Sequence, residues 1–259
     1  MSRIQSIFSN TKQPVLNIYF TAGYPNLDST LTIMDLLAQS GVDIIEIGMP
    51  YSDPLADGPV IQESSSVAIA NGMSIELLFS QLKICRTQPS LSKTGIILMG
   101  YMNPVLQYGF DRFCADAAAA GVDGLILPDL PPYEFEKEYG ATIKKYGLDF
   151  IFLVTPETSE ERVRKLDSLS TGFLYAVSSS ATTGGDTSFD LVTDYLQKLQ
   201  SYQLNNPVMV GFGIKDKASF AAVAAHSQGA IIGSAFIKAL SNNAPLDEII
   251  PSFIKSVRP

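Results

Sequence analysis

Apolar positions in this chain gather into short, nearly unbroken runs of β-branched and aliphatic residues rather than alternating with polar ones. The runs fall at 15–20, 43–48, 96–101, 123–127, 149–154, 172–177, 207–211 and 230–233, eight in all. Continuity of this kind predicts strands covered on both faces, as in parallel sheets under helices. Helix-period segments lie between them at 29–39, 60–70 with 74–87, 110–120, 133–146, 159–169, 189–202, 215–225 and 234–240, and further helices are expected at 2–8 and 246–257. Three helices run into the next strand through one punctuation: Gly41-Val42-Asp43, Gly121-Val122-Asp123 and Gly147-Leu148-Asp149. A Gly at that place ends a helix in the left-handed conformation before an αβ turn. Eight β/α units predict an α/β fold, a single-domain (β/α)8 barrel over 1–259 with extra terminal helices. The competing open, doubly wound sheet expects a Gly-rich fingerprint after the first strand, and Gly23 lacks companion glycines there.

Composition narrows the function. A hydrophobic fraction of 46% fills a large core, and no linker or low-complexity tract suggests an internal boundary. A net charge of −8 argues against nucleic acid, which is bound chiefly through clustered Lys and Arg. No signal-peptide run or membrane span is evident, so a cytoplasmic protein is expected. Cys85 and Cys114 read as free buried thiols, and His226, the only histidine, falls in an alanine-rich helix. Without a histidine base, catalysis has to rest on carboxylates, tyrosines and backbone.

Barrel sites form where strands end, which turns the strand list into a map. Glu46 interrupts the apolar run Ile44, Ile45, Ile47, and a carboxylate there is costly unless it has a partner or a task. The loop that follows holds Asp53 and Asp57 among Pro50, Pro54, Gly58 and Pro59. Two acids in unlike environments are the material of acid–base catalysis. Against this stand plainer readings: an ion pair for Glu46, a helix cap for Asp57, turn chemistry for Asp53, core packing for Tyr175 and a structural role for Asp129. The seventh and eighth strands end in Gly211-Phe212-Gly213 and Gly233-Ser234, the place where barrels bind phosphate through backbone amides. A phosphorylated substrate is therefore expected.

The run from Glu46 through Pro59 to Gln62, with Tyr101-Met-Asn-Pro104, the segment at 127–131, Gly211 to Ile214 and Gly233 to Phe236, resembles the tryptophan synthase alpha subunit family along essentially the whole chain. The resemblance implies retro-aldol cleavage of indole-3-glycerol phosphate to indole and glyceraldehyde 3-phosphate. It implies no cofactor in this chain, and a pyridoxal-phosphate beta subunit as partner in an αββα heterotetramer. By it Glu46 is the acid–base, Asp57 the carboxylate at the indole nitrogen, and Tyr175 a neighbour of Glu46. Phe20, Leu98, Tyr101, Ile126, Leu153 and Phe212 wall the indole, Gly184, Gly213, Gly233 and Ser234 hold phosphate, and Thr183 belongs to a lid. The sixth loop departs from the family pattern, with Ser179-Ser180-Ala181-Thr182 where an Arg and a Gly are usual. A stand-alone lyase, another phosphate-binding barrel enzyme, and a weak catalyst that activates a beta subunit are the alternatives.

Overall fold

The computed structural model of the chain describes residues 1–177, 189–211, 213–242 and 244–258. Its parallel strands are β1 (Val15–Thr21), β2 (Ile44–Gly48), β3 (Gly95–Met99), β4 (Gly124–Ile126), β5 (Asp149–Phe150), β6 (Leu153–Val154), β7 (Leu174–Val177), β8 (Val208–Gly211) and β9 (Gly229–Ile232). They pair in the order β5-β4-β3-β2-β1-β9-β8-β7-β6. The two ends of that order, β5 and β6, are consecutive pieces of the single strand expected at 149–154. The interruption between them does not open the barrel, since Ile151 N–H donates to the Leu125 carbonyl at 3.0 Å and Tyr175 N–H to that of Phe152 at 3.0 Å. Nine ladder segments thus make the eight staves of a closed parallel barrel.

Most helices form where the periodicity places them, with shifts of one or two residues at their ends, but the segment expected at 74–87 is helical over Ile75–Leu82 with a separate 3-10 turn at Cys85–Thr87, and that expected at 133–146 passes through a π-helical stretch at Phe135–Tyr139. One was not foreseen: Met102–Tyr108 follows β3 directly. Its first amide, on Met102, is held by both Asp129 carboxylate oxygens at 3.0 Å, which gives Asp129 the structural task expected of it. The three glycine stops behave as read. Gly41, Gly121 and Gly147 all have positive φ, and the following amide of Val42, Val122 or Leu148 reaches back to the helix at 3.1, 3.0 and 3.2 Å.

The aspartates after those glycines do more than mark a turn. Asp43 accepts the Leu16 amide and pairs with Arg258 at 3.0 Å, while Asp123 accepts the Ile96 amide and pairs with Arg86 at 2.6 Å and with Arg3. The floor of the barrel, where strands begin, therefore engages Arg3, Arg86 and Arg258. The helix Arg3–Asn10 closes this floor. Ile4 is fully buried against Val15, Ile44, Ile97 and Phe173, and Gly95, Gly124 and Gly172 leave the room its side chain occupies.

Strand alternation divides the core in two. Leu16, Ile18, Phe20, Ile45, Ile47, Ile96 and Leu98 face outward into the layer under the helices, whereas Val15, Ile44, Ile97, Ile126, Ile151 and Ile231 fill the interior. Removing the floor plug tests this division. Ile4→Ala is expected to cost about 2–4 kcal/mol in urea unfolding, the range for a fully buried aliphatic side chain, and a loss under about 1 kcal/mol would show that the helix does not close the barrel.

Candidate active site

Glu46 lies on the inward face of β2, level with Tyr19 on β1 and Ile97 on β3. Its carboxyl is completely buried and, among the described residues, pairs with no Lys or Arg. One oxygen, Oε2, accepts a hydrogen bond from Asn17 Nδ2 at 2.9 Å, and Oε1 has no hydrogen-bond partner among the described residues. Burial is the main reason its pKa rises to about 8; the Asn17 bond opposes the rise and the nearby charge of Asp57 adds to it. Near neutrality Glu46 is consequently a protonated acid.

Asp57 reaches the same interior from the loop after β2. Its amide donates to the Pro54 carbonyl at 3.0 Å, and the Gln62 side-chain amide donates to its carbonyl at 2.8 Å. The cap position of the helix Pro59–Ala70 belongs to Gly58, which leaves the Asp57 carboxylate free for other use. It accepts the Tyr101 hydroxyl at 3.0 Å, and that same hydroxyl accepts the Ala56 amide at 3.0 Å. Partial burial raises the pKa of Asp57 to about 6, with the Tyr101 bond holding it down. The two acids therefore differ in the right sense for an acid and an anion to coexist at pH 7. Asp53 is exposed in the same loop, where its carbonyl accepts the Leu55 amide at 3.0 Å.

Two tyrosines complete the interior at this height. Tyr19 sits over Gly48, where an added Cβ would lie 2.1 Å from its hydroxyl, and Tyr175 sits over Gly211, where the same distance is 2.6 Å. Those glycines are required by close approach. Burial first, and then the neighbouring acids, keep both phenols protonated, Asp57 weighing more than Glu46 at Tyr19 and Glu46 more than Asp57 at Tyr175.

Of the residues expected to wall the pocket, Ile126 and Leu153 face the interior and Tyr101 stands at its rim. Phe20 and Leu98 do not: both point outward into the layer under the helices. The correction is one of phase, because a strand turns successive side chains to opposite faces and an error of one residue selects the wrong one. Their inward neighbours are Tyr19 and Met99. Asn17 was also missed, although a buried amide in the apolar run of β1 is the same kind of signal as Glu46. Gly233 borders the Tyr19 ring, and Ser234 opens the helix Ser234–Leu240, while Gly213 has positive φ and open space around it. Phe212, Thr183 and Gly184 lie outside the described residues, as do the sixth-loop residues Ser179 to Thr182.

Comparison with known proteins follows this geometry. A family model described as tryptophan synthase alpha chain matches residues 7–251. The tryptophan synthase alpha chain of Parabacteroides distasonis is 46% identical over 259 residues, covering 100% of both chains. That of Flavobacterium psychrophilum is 50% identical over 244 residues, 94% of this chain and 95% of its own. Among solved structures, tryptophan synthase subunit alpha from Legionella pneumophila superposes with a TM-score of 0.91 at 34% identity, covering 100% of this chain and 97% of that one. Tryptophan synthase from M. tuberculosis in an aminoacrylate-bound form superposes with a TM-score of 0.84 at 33% identity, over 98% and 97%.

The raised pKa of Glu46 predicts a stability signature. An acid whose folded pKa lies above its unfolded value binds its proton more tightly when folded, so stability falls as pH rises from about 4.5 to about 8. Glu46→Gln removes that penalty, and its melting temperature relative to the parent protein is expected to be higher at pH 8 than at pH 5, by the equivalent of a few kcal/mol at most. A difference that is the same at both pH values would mean that the Glu46 carboxyl titrates normally.

Proposed function

Because the chain belongs to the tryptophan synthase alpha chain family, which cleaves indole-3-glycerol phosphate in tryptophan biosynthesis, we propose that Glu46 and Asp57 are the pair that carries out the cleavage. The observation that supports this reading is a fully buried, cation-free carboxyl with a pKa near 8 facing a second carboxylate with a pKa near 6. Protonated Glu46 delivers its proton to C3 of the indole ring, and the ring nitrogen takes up the positive charge. Asp57 stabilises that charge as an anion. The Glu46 carboxylate then takes the proton of the side-chain hydroxyl next to the ring. Electrons of the O–H bond become the aldehyde C=O, those of the carbon–carbon bond return to the ring, and indole and glyceraldehyde 3-phosphate separate with Glu46 protonated again. Every proton is handled by a carboxyl, so in this reading the chain needs no cofactor of its own, pyridoxal phosphate being the beta subunit's.

Tyr19 and Tyr175 lie near Glu46, and Ile126, Leu153 and Met99 on the inner face, with Tyr101 at the rim, are the side chains assigned to contact the ring. The phosphate is assigned to the rim at Gly213, Gly233 and Ser234, together with Gly184, where backbone amides suffice and no Lys or Arg is needed. Thr183 is assigned to the lid and Phe212 to the slot on the strength of the family pattern. The whole chain is read as one cytoplasmic domain. Among the described residues no helix is long and apolar enough to cross a membrane.

Activity tests the pair directly. Glu46→Gln is expected to lose about 10²–10⁴ in kcat with little change in KM, and Asp57→Asn to lose cleavage as well. In the parent enzyme kcat/KM should be bell-shaped, falling below about pH 6 as Asp57 gains a proton and above about pH 8 as Glu46 loses its own. Near-normal turnover in Glu46→Gln would remove that residue from the mechanism.

The partner is read as a beta subunit in an αββα assembly. Support comes from the family and from exposed apolar side chains on successive loops of the same barrel face: Leu55 after β2, Leu106 after β3 and Tyr133 after β4 are 80%, 47% and 64% exposed. Beside them Asn103 donates to the Tyr51 hydroxyl at 3.1 Å, joining the loops around Pro54 and Pro104. Mixing the chain with its cognate beta subunit is expected to give a complex in sedimentation and a faster cleavage rate, by shifting the loops toward their closed population. The absence of both effects would point to a stand-alone lyase.

A further inference from the structure

Asn17 is fully buried on the inward face of β1, opposite Ile44 on β2 and Ile231 on β9. The layer around it, with Val15, Ile44, Ile97 and Ile231, is otherwise aliphatic. An amide there costs free energy unless it is hydrogen-bonded. Among the described residues its side chain makes one hydrogen bond, the 2.9 Å donation from Nδ2 to Glu46 Oε2, and its own Oδ1 has no partner. A residue selected only to pack this layer would be apolar, so the amide answers to the carboxyl.

The registers explain the reach. Asn17 stands opposite Ile44, two residues before Glu46 on the same face of the adjacent strand, so the two side chains meet on the diagonal. Because the bond engages Oε2 alone, it settles the rotation of the carboxyl and leaves Oε1 without a partner. The other titratable groups near Glu46 are Asp57 from the loop after β2, whose charge acts on it, and Tyr19 on β1 and Tyr175 on β7, on which Glu46 acts, while β3 offers Ile97 at this level. Asp57 is an acid and the tyrosines stay protonated, leaving Asn17 as the group whose hydrogen bond to Glu46 favours the carboxylate form.

We propose that Asn17 is a positioning residue for Glu46, holding Oε2 so that Oε1 exchanges the proton with substrate. The inference rests on the assignment of Glu46 as the acid–base. Its consequence is twofold: the amide sets the aim of the carboxyl and, by donating to the ionised form, keeps its proton loose enough to leave.

The test uses the full chain with Asn17→Leu, which fills the space without a donor, and Asn17→Ala, which removes the donor and leaves a small cavity. Both are expected to lower kcat about tenfold with KM within about twofold, and to move the alkaline limb of kcat/KM upward by about one pH unit. The Glu46 carboxyl ¹³C resonance, assigned by its disappearance in Glu46→Gln, should titrate upward by a similar amount in the free protein. An alkaline limb and a ¹³C titration that stay in place in either folded variant overturn the proposal, whatever happens to kcat. Retained activity in Glu46→Gln would instead overturn the acid–base assignment, and an inactive Glu46→Gln beside unmoved Asn17 variants would overturn the Asn17 role alone.

Discussion

The constraint on which this structure turns is a carboxyl group sealed inside a barrel without a cation. Burying an ionised carboxylate in that way is prohibitive, so the group keeps its proton to a higher pH than usual, and that displaced equilibrium is the basis of the chemistry proposed for it. The fold maintains the situation by segregating charge. Arg3, Arg86 and Arg258 are engaged at the floor with Asp123 and Asp43, where strands begin. The acids at the other end, Glu46 and Asp57, are met by an amide and a phenol. A basic side chain beside Glu46 would ionise it and leave no acid for the proposed protonation.

From the same constraint follows the placement of small residues. Two tyrosines fill the interior around Glu46, and each needs a strand position with no side chain beneath it, which Gly48 and Gly211 supply. Gly211 therefore serves packing inside the barrel, whereas Gly213 and Gly233, with open space or a ring edge beside them, remain at the rim. Glycines that look alike in a turn motif divide between two physical tasks once side-chain directions are known.

That division explains what was legible in the sequence. The staves, their order and the helix stops followed from apolar runs and from Gly41, Gly121 and Gly147, because those signals are local. Which face of a stave points inward was not local. In a parallel barrel both faces are apolar, and hydropathy does not set the phase of the alternation. On β2 the polar Glu46 set it correctly. On β1 and β3 the family resemblance implied Phe20 and Leu98, while the interior positions belong to Tyr19 and Met99. Asn17 marks the phase of β1 as plainly as Glu46 marks that of β2, since Asn17, Tyr19 and Thr21 place three polar groups on one face of an otherwise apolar strand. The break at Ile151 and Phe152 had no such marker.

Glu46 and Asp57 also differ in what holds them. Glu46 is fixed by a central strand and one interior bond, so its position follows the barrel itself. Asp57 sits on a loop whose location is borrowed from β3, because the Tyr101 hydroxyl binds both the Ala56 amide and the Asp57 carboxylate, and Tyr51 stacks against the Tyr101 ring with centroids 5.4 Å apart. Leu55 and Leu106, the exposed apolar residues of that rim, flank this joint in sequence on either side. A surface docked on the rim would thus bear on Asp57 through Tyr101 long before it reached Glu46. The carboxylate proposed to stabilise charge is directly open to outside influence, and the proposed proton donor feels it only through the charge of Asp57.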